Sequence, residues 1–174
     1  MRFGWVSVLS VGVLALAGCG RSAVSSADLE QNARAAAFFM DSNAKEEGVR
    51  TLASGLQYKV VQSGPSGAAS PDSNDLVRVD YEGALTDGLV FDSSFAKGQP
   101  FVTSPEQVVP GWTEALQLMK AGDEWLLYVP PALGYGEQGG GTKIPGNSVL
   151  VFRIKLLDVA PVPGGNRGVG IAMG

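Results

Sequence analysis

From Leu76 to Leu85 the chain alternates. Val77, Val79, Tyr81 and Gly83 fall on one face, and Leu76, Arg78, Asp80 and Glu82 on the other. A period of two over ten residues describes an antiparallel strand with one face against a core and the other toward solvent. Thr86-Asp87-Gly88 is a tight turn, so Leu89-Val90-Phe91 should return as the second arm of a hairpin. Leu56–Val61, Glu124–Val129 and Val149–Val159 are further strands. In the last, Leu150, Phe152, Ile154 and Leu156 share a face opposite Arg153 and Lys155. Between the strands one segment has helical spacing: Trp112, Ala115, Leu116 and Met119. Glu114 falls in its first turn, Lys120 in its last, and Gly122 supplies a stop. Strands, one short helix, then strands is the pattern of an α+β domain, an antiparallel sheet covered by a helix. The 24 Gly and 10 Pro residues among 174 agree with a turn-rich sheet protein.

Composition narrows the chemistry. The chain has no His, which removes Ser–His and Cys–His nucleophile pairs, His-ligated metals and an imidazole base. Its single Cys excludes an internal disulfide framework and a Cys-rich metal site. No metal site or cofactor is expected, since the carboxylates do not cluster at ligand spacing. A net charge of −4 argues against nucleic acid as a partner. Carboxylates, hydroxyls, backbone dipoles and apolar pockets remain.

The N-terminus reads as an address. Met1-Arg2 is a short basic start, and Val6–Ala17 is an apolar run too short to span a bilayer as a helix. Leu16-Ala17-Gly18-Cys19 resembles the lipobox of bacterial lipoproteins. That resemblance implies a signal peptide over residues 1–18 and a lipid on the thiol of Cys19. A secretory signal that merely contains a Cys is the alternative. Gly20, rather than Asp, resembles the pattern sent on to the outer membrane, so the expected location is the cell envelope, on the periplasmic face of that membrane. Residues 19–27 are small and polar and read as anchor and tether. Residues 28–49 read as an N-terminal helix, with Asp28 and Glu30 at its start and Gly48 as its stop. It either lies against the domain or solvent, or serves a partner. Residues 50–160 form the folded domain, with a Gly/Ser/Pro/Asp loop over 63–75. The Gly/Pro-rich tail 161–174 is expected to be disordered.

Several segments resemble one family, in order. They are Val-Arg-Val-Asp-Tyr-Glu-Gly (77–83), Thr-Asp-Gly (86–88), Phe-Asp-Ser-Ser (91–94) and Val-Val-Pro-Gly-Trp-Thr-Glu-Ala-Leu (108–116). Gly-Tyr-Gly (134–136), Ile-Pro-Gly-Asn-Ser (144–148) and Leu-Val-Phe (150–152) follow. The chain resembles an FKBP-type peptidyl-prolyl cis–trans isomerase. Leu-Ala-Ser-Gly-Leu-Gln-Tyr-Lys-Val (52–60) is similar to the bacterial branch called macrophage infectivity potentiators. The resemblance implies a curved antiparallel sheet, a half-barrel, wrapped around one short helix with a pocket between them. It implies isomerisation of X–Pro bonds in secreted or envelope proteins, without cofactor.

The same resemblance assigns the site. Trp112 is the pocket floor. Tyr81, Phe91, Phe101, Val108, Val109 and Phe152 are walls, and Ile144 is a wall from the flap. The Tyr135 hydroxyl and the Val109 amide hold the bound peptide, and Asp92 hydrogen-bonds Tyr81 beside the substrate carbonyl. On the residues alone, Phe91 and Phe152 fit a core equally well, Tyr135 a loop anchor and Asp92 a turn. Three positions depart from the family: Gly140 stands where some relatives have His, Lys97 where some have Arg, and Gln107 where some have an acid. Implied partners are proline-containing polypeptides, the membrane through Cys19, and macrolide inhibitors, with the chain a monomer or weak dimer. A tethered peptide-binding chaperone with little isomerase activity is the competing reading. The first reading has a physical rationale that needs no proton transfer. The barrier at an X–Pro bond comes from amide resonance, about 18–20 kcal/mol, and a dry pocket disfavours the polar planar form.

Overall fold

The alternating segment is the spine of the sheet. The computed structural model describes residues 25–164. In chain order the elements are α1 (Ser26–Asn43), β1 (Val49–Thr51), β2 (Gln57–Gln62), β3 (Leu76–Leu85), β4 (Val90–Ser93) and α2 (Ser94–Lys97). Then come β5 (Phe101–Thr103), α3 (Pro110–Leu118), β6 (Glu124–Val129) and β7 (Leu150–Ala160). The strands form one antiparallel sheet in the order β1-β2-β6-β7-β3-β4, with β5 also on β3. β3 and β7 pair from Leu76–Ala160 to Leu85–Leu150. The other side of β3 is shared by β4 at Glu82–Ala84 and β5 at Val77–Val79. Register shifts at Arg78/Val79 and Gly83/Ala84 mark irregularities where β3 bends.

The expected faces hold. Val77, Val79 and Tyr81 are buried, as are Leu150, Phe152, Ile154 and Leu156 of β7. α3 brings Trp112, Ala115 and Leu116 onto this face, and helix and sheet residues form one core cluster. The domain is therefore an open antiparallel sheet with α3 packed against it.

Several local expectations are corrected. The N-terminal helix begins at Ser26, inside the stretch read as tether. Ser25 is the cap: its Oγ accepts from the Asp28 amide (3.1 Å) and its own amide donates to the Asp28 carboxylate (3.2 Å), a capping box. The helix ends at Asn43, and Gly48 serves a later turn into β1. α1 lies against the domain: Asn43 donates to Gln57 Oε1 (2.8 Å), and Gln57 Nε2 donates to the Met40 carbonyl (2.8 Å). α3 stops at Leu118, so Glu114 falls past its first turn and Lys120 past its end. Met119 keeps its buried side chain although its backbone is extended, and Gly122 makes the turn into β6. β1, α2 and β5, with three or four residues each, are too short to show a period in the sequence. The start of the tail is held: the Val162 amide donates to Asp75 Oδ1 (2.8 Å), and the Asn74 side-chain amide approaches the Pro163 carbonyl (3.3 Å). The signal segment, Cys19 and residues 165–174 lie outside the described residues. Among the described residues no helix is long and apolar enough to cross a membrane.

Candidate functional site

A cavity of about 880 Å³ opens between α3, the β3–β4 hairpin and the loop before β7. Its floor is set by the start of α3. Pro110 occupies the first helical position, where its missing N–H is no loss. Trp112 follows two residues later and is only 4% exposed. Two rings meet it edge-to-face: Tyr81 of β3 at 5.2 Å and 83°, and Phe152 of β7 at 5.1 Å and 82°. Phe91 of β4 adds a further edge to Phe152 (5.6 Å, 88°), and Phe101 of β5 one to Tyr81 (5.9 Å, 65°). This arrangement sets positive ring edges against negative ring faces and leaves a hollow instead of a flat stack. Gly83 makes it geometrically possible: a Cβ there would lie 2.7 Å from both Phe91 and Phe152.

The loop before α3 carries Val108 and Val109 to the rim. The Thr113 hydroxyl donates to the Pro105 carbonyl (2.6 Å) and fixes that loop on the helix. Val109 caps α3 without a side-chain bond, and among the described residues its amide meets no acceptor. It is one of the free N–H groups that every helix start leaves. On the opposite rim, residues 135–147 form a flap that supplies Tyr135, 43% exposed, and the buried Ile144.

Asp92 is the carboxylate at the hollow. Its Oδ2 accepts from the Tyr81 hydroxyl (2.6 Å), its Oδ1 from the Ser93 amide (2.9 Å), and Lys97 Nζ lies 2.6 Å from Oδ1. α2 makes this cluster: Ser93 caps it, and its single turn swings Lys97 back beside Asp92. Burial pulls the Asp92 carboxyl upward. The hydrogen bonds from Lys97, Tyr81 and Ser93 outweigh it and hold the group below the ordinary carboxylate value. Burial and the Asp92 acceptor push the Tyr81 hydroxyl up. The bond to Asp92 raises Lys97. At neutral pH the site therefore holds a charged Asp92–Lys97 pair and a neutral Tyr81. Lysine thus makes the ion pair expected of arginine, as a single point contact.

The cavity brings together all ten pocket residues named from the sequence: Tyr81, Phe91, Asp92, Phe101, Val108, Val109, Trp112, Tyr135, Ile144 and Phe152. Gln107 and Gly140 also line it. Val79 lies below, fully in the core. Cys19, the expected lipid site, is outside the described residues. Sequence reasoning missed Thr142 and Lys143. Lys143 Nζ donates to the Phe91 carbonyl (3.3 Å) and links flap to hairpin over the cavity mouth. Its partner is 52 residues away, so local pattern could not reveal it. Among the described residues no group of three or more metal-ligating side chains forms.

This is an α+β domain with a ring-lined hollow between sheet and helix and polar groups on its rim. Residues 67–157 match the family model described as FKBP-type peptidyl-prolyl cis-trans isomerase. Residues 20–60 match the domain amino terminal to FKBP-type peptidyl-prolyl isomerase. The peptidyl-prolyl cis-trans isomerase Mip of Coxiella burnetii is 48% identical over 128 residues, 74% of this chain and 55% of that protein. Outer membrane protein MIP of Legionella longbeachae is 43% identical over 139 residues, 80% of this chain and 59% of that protein. A solved peptidyl-prolyl cis-trans isomerase from Pseudomonas syringae pv. tomato has a TM-score of 0.70 at 36% identity, covering 76% of this chain and 96% of that one. The chain belongs to the FKBP-type peptidyl-prolyl cis-trans isomerase family. It spans about half the length of the curated relatives it matches.

Proposed function

We propose that the chain catalyses rotation about X–Pro peptide bonds in proline-containing polypeptides of the cell envelope. The carrying observation is the ring-lined hollow: Trp112 below, with Tyr81 and Phe152 edge-on to it and Phe91 edge-on to Phe152. A proline ring fits there with its imide bond at the mouth. The planar imide is the more polar form, because resonance places negative charge on its oxygen. At 90° that resonance is broken, and the barrier of about 18–20 kcal/mol is its loss. Removing water from the carbonyl therefore raises the planar state more than the twisted one. Each 1.36 kcal/mol of that preference accelerates rotation about tenfold.

The rim holds the peptide in place. The free Val109 amide offers a donor to a client carbonyl, and the Tyr135 hydroxyl a second, across the hollow. These flank contacts hold the planar and twisted imide alike, so they set KM more than kcat. Asp92, kept ionised by Lys97, faces the client carbonyl with a fixed negative charge, which penalises the more polar planar oxygen. No proton moves and no covalent bond forms, so a chain without histidine suffices.

We place the protein in the bacterial envelope, held by a lipid on Cys19. The lipobox-like sequence before Cys19 supports this reading, as does the printed name of the Legionella longbeachae relative, an outer membrane protein. Two acyl chains or more there would anchor it stably, since each buried methylene contributes about 0.8 kcal/mol. Gly20 favours the periplasmic face of the outer membrane, and macrolides are the expected inhibitors. A protease-coupled proline-peptide assay tests the activity, with wild type set beside Asp92→Ala and Phe152→Tyr. The expected result is a catalysed rate that both substitutions lower. Undiminished holding of unfolded clients with no rate enhancement would overturn the reading in favour of a tethered chaperone.

A further inference from the structure

The flap has little sheet support of its own. Its ordering comes from a short 3₁₀ turn at Gly136–Gln138 and one bridge between Gly140 and Ile144, and Gly136, Gly139 and Gly141 have positive φ. Its neck is closed by a hydrogen bond from the Asn147 amide to the Gly136 carbonyl (2.8 Å).

α1 grips this neck from outside. Asn32 Nδ2 donates to the Gly146 carbonyl (2.9 Å), and Asn147 Nδ2 donates to the Leu29 carbonyl (3.0 Å). The two bonds are reciprocal: a side chain of each element holds the backbone of the other. The contact is also close. A Cβ on Gly146 would lie 2.6 Å from Leu29 Cδ2 and 2.0 Å from the Glu137 carbonyl oxygen. Asn147 has φ +60, the one non-glycine among the described residues in that region. Such a conformation persists when surrounding contacts hold it. Toward its other end α1 is braced on the sheet through Asn43, Met40 and Gln57, and Phe39 packs on Tyr128 at 6.1 Å. Eighteen helical residues span about 27 Å. The helix is thus a strut from β2 to the flap neck, and neither Asn32 nor Asn147 lines the cavity.

We propose that α1 positions the client flap, with Asn32 and Asn147 as its two positioning residues. Their amides fix the angle at which the flap leaves the domain, and so where Tyr135 and Ile144 stand over the hollow. The inference rests on the reading of that hollow as the client site. It gives the segment before the isomerase domain a part in client binding.

The test uses the full-length chain in detergent. Asn32→Asp is nearly isosteric and turns the donor into an acceptor facing the Gly146 carbonyl. Asn147→Gly tolerates the positive φ and removes the side-chain bond, adding some backbone freedom at the neck, which Asn32→Asp does not. Loss of one such hydrogen bond shifts a local equilibrium about two- to tenfold. Amide exchange at residues 139–144 should accelerate by about that factor, with β3 and β7 unchanged. KM for a proline peptide should rise about threefold or more, with kcat within about twofold, because the loss falls on grip instead of on the twisted bond. Unchanged flap exchange in both variants overturns the proposal. So does acceleration spread evenly over the domain, or a loss confined to kcat. A wild-type chain without isomerase activity would remove the functional reading alone, and the exchange measurement would still decide the positioning role.

Discussion

Two tryptophans are buried in the domain, and they end in opposite situations. Trp112 is 4% exposed and Trp125 6%. Among the described residues neither indole N–H has a partner. Trp125, on β6, stacks on Tyr58 of β2 at 4.3 Å and 11°, a diagonal cross-strand pair closed flat on itself. Trp112 meets its two neighbours at nearly right angles and lines the cavity. Burial and residue type are the same. The difference lies in whether the neighbours lie flat on the ring or stand beside it. A flat stack consumes the apolar face for stability, whereas upright neighbours do not cover the ring's face, which suits the proposed proline site.

The largest expected effect separates the two rings. Trp112→Ala should lower kcat/KM for a proline peptide about a hundredfold per folded molecule, since about 2.7 kcal/mol of pocket contact acts on the bound imide. Trp125→Ala should leave that value within about twofold, while urea unfolding shows a loss of about 3–5 kcal/mol. If Trp125→Ala abolished catalysis with its fold intact, the contrast between the rings would fail.

Next is the charge beside the upright rings. Asp92→Asn should reduce kcat/KM several-fold, about one hydrogen-bonded charge's worth. Asp92 has a depressed carboxyl value in the fold, so its stabilisation is present above the unfolded value near 4 and is lost as pH falls through the folded one. Chemical unfolding of wild type and Asp92→Asn should therefore converge at the acid end, as pH falls through that depressed value. At the alkaline end, Lys97 and Tyr81 both have raised values. Their stabilisation is present below about pH 10 and fades as pH rises through the folded values. None of the three titrates between, and the chain has no histidine. The wild-type rate should be flat within about twofold from pH 5 to 9, and a bell-shaped profile would reveal proton transfer.

A spectroscopic contrast sharpens the comparison. In Trp125→Phe, emission should change on adding a proline peptide, because Trp112 remains as the pocket floor. In Trp112→Phe it should not. An equal response from both variants would place the guest elsewhere. The smallest effect belongs to the rim: Tyr135→Phe removes one neutral hydrogen bond and should raise KM about two- to fivefold, read from initial rates.

What could be read in advance follows the range of the forces. β3, β6 and β7 were legible because alternation is local and a one-residue slip would turn every apolar side chain outward. The hairpin was legible from Thr86-Asp87-Gly88. β1, α2 and β5 were not, since three or four residues contain too little of any period. The end of α3 was misjudged because Met119 keeps helical spacing and burial after its backbone has left the helix. At the site, the ordered motifs indicated the ten lining residues, but Lys143 and the Asn32–Asn147 grip join residues 52 or more positions apart.

Sequence by itself determined the longer strands, the helix that covers them and the absence of imidazole chemistry. These depend on periodicity, turn chemistry and composition, all of which act over a few neighbours. Only the tertiary structure decided that Trp112 lines the cavity while Trp125 is stacked away, that Lys97 pairs with Asp92, and that α1 holds the neck of the flap. Those outcomes depend on angles and distances between elements, and these are set when the whole sheet packs on α3.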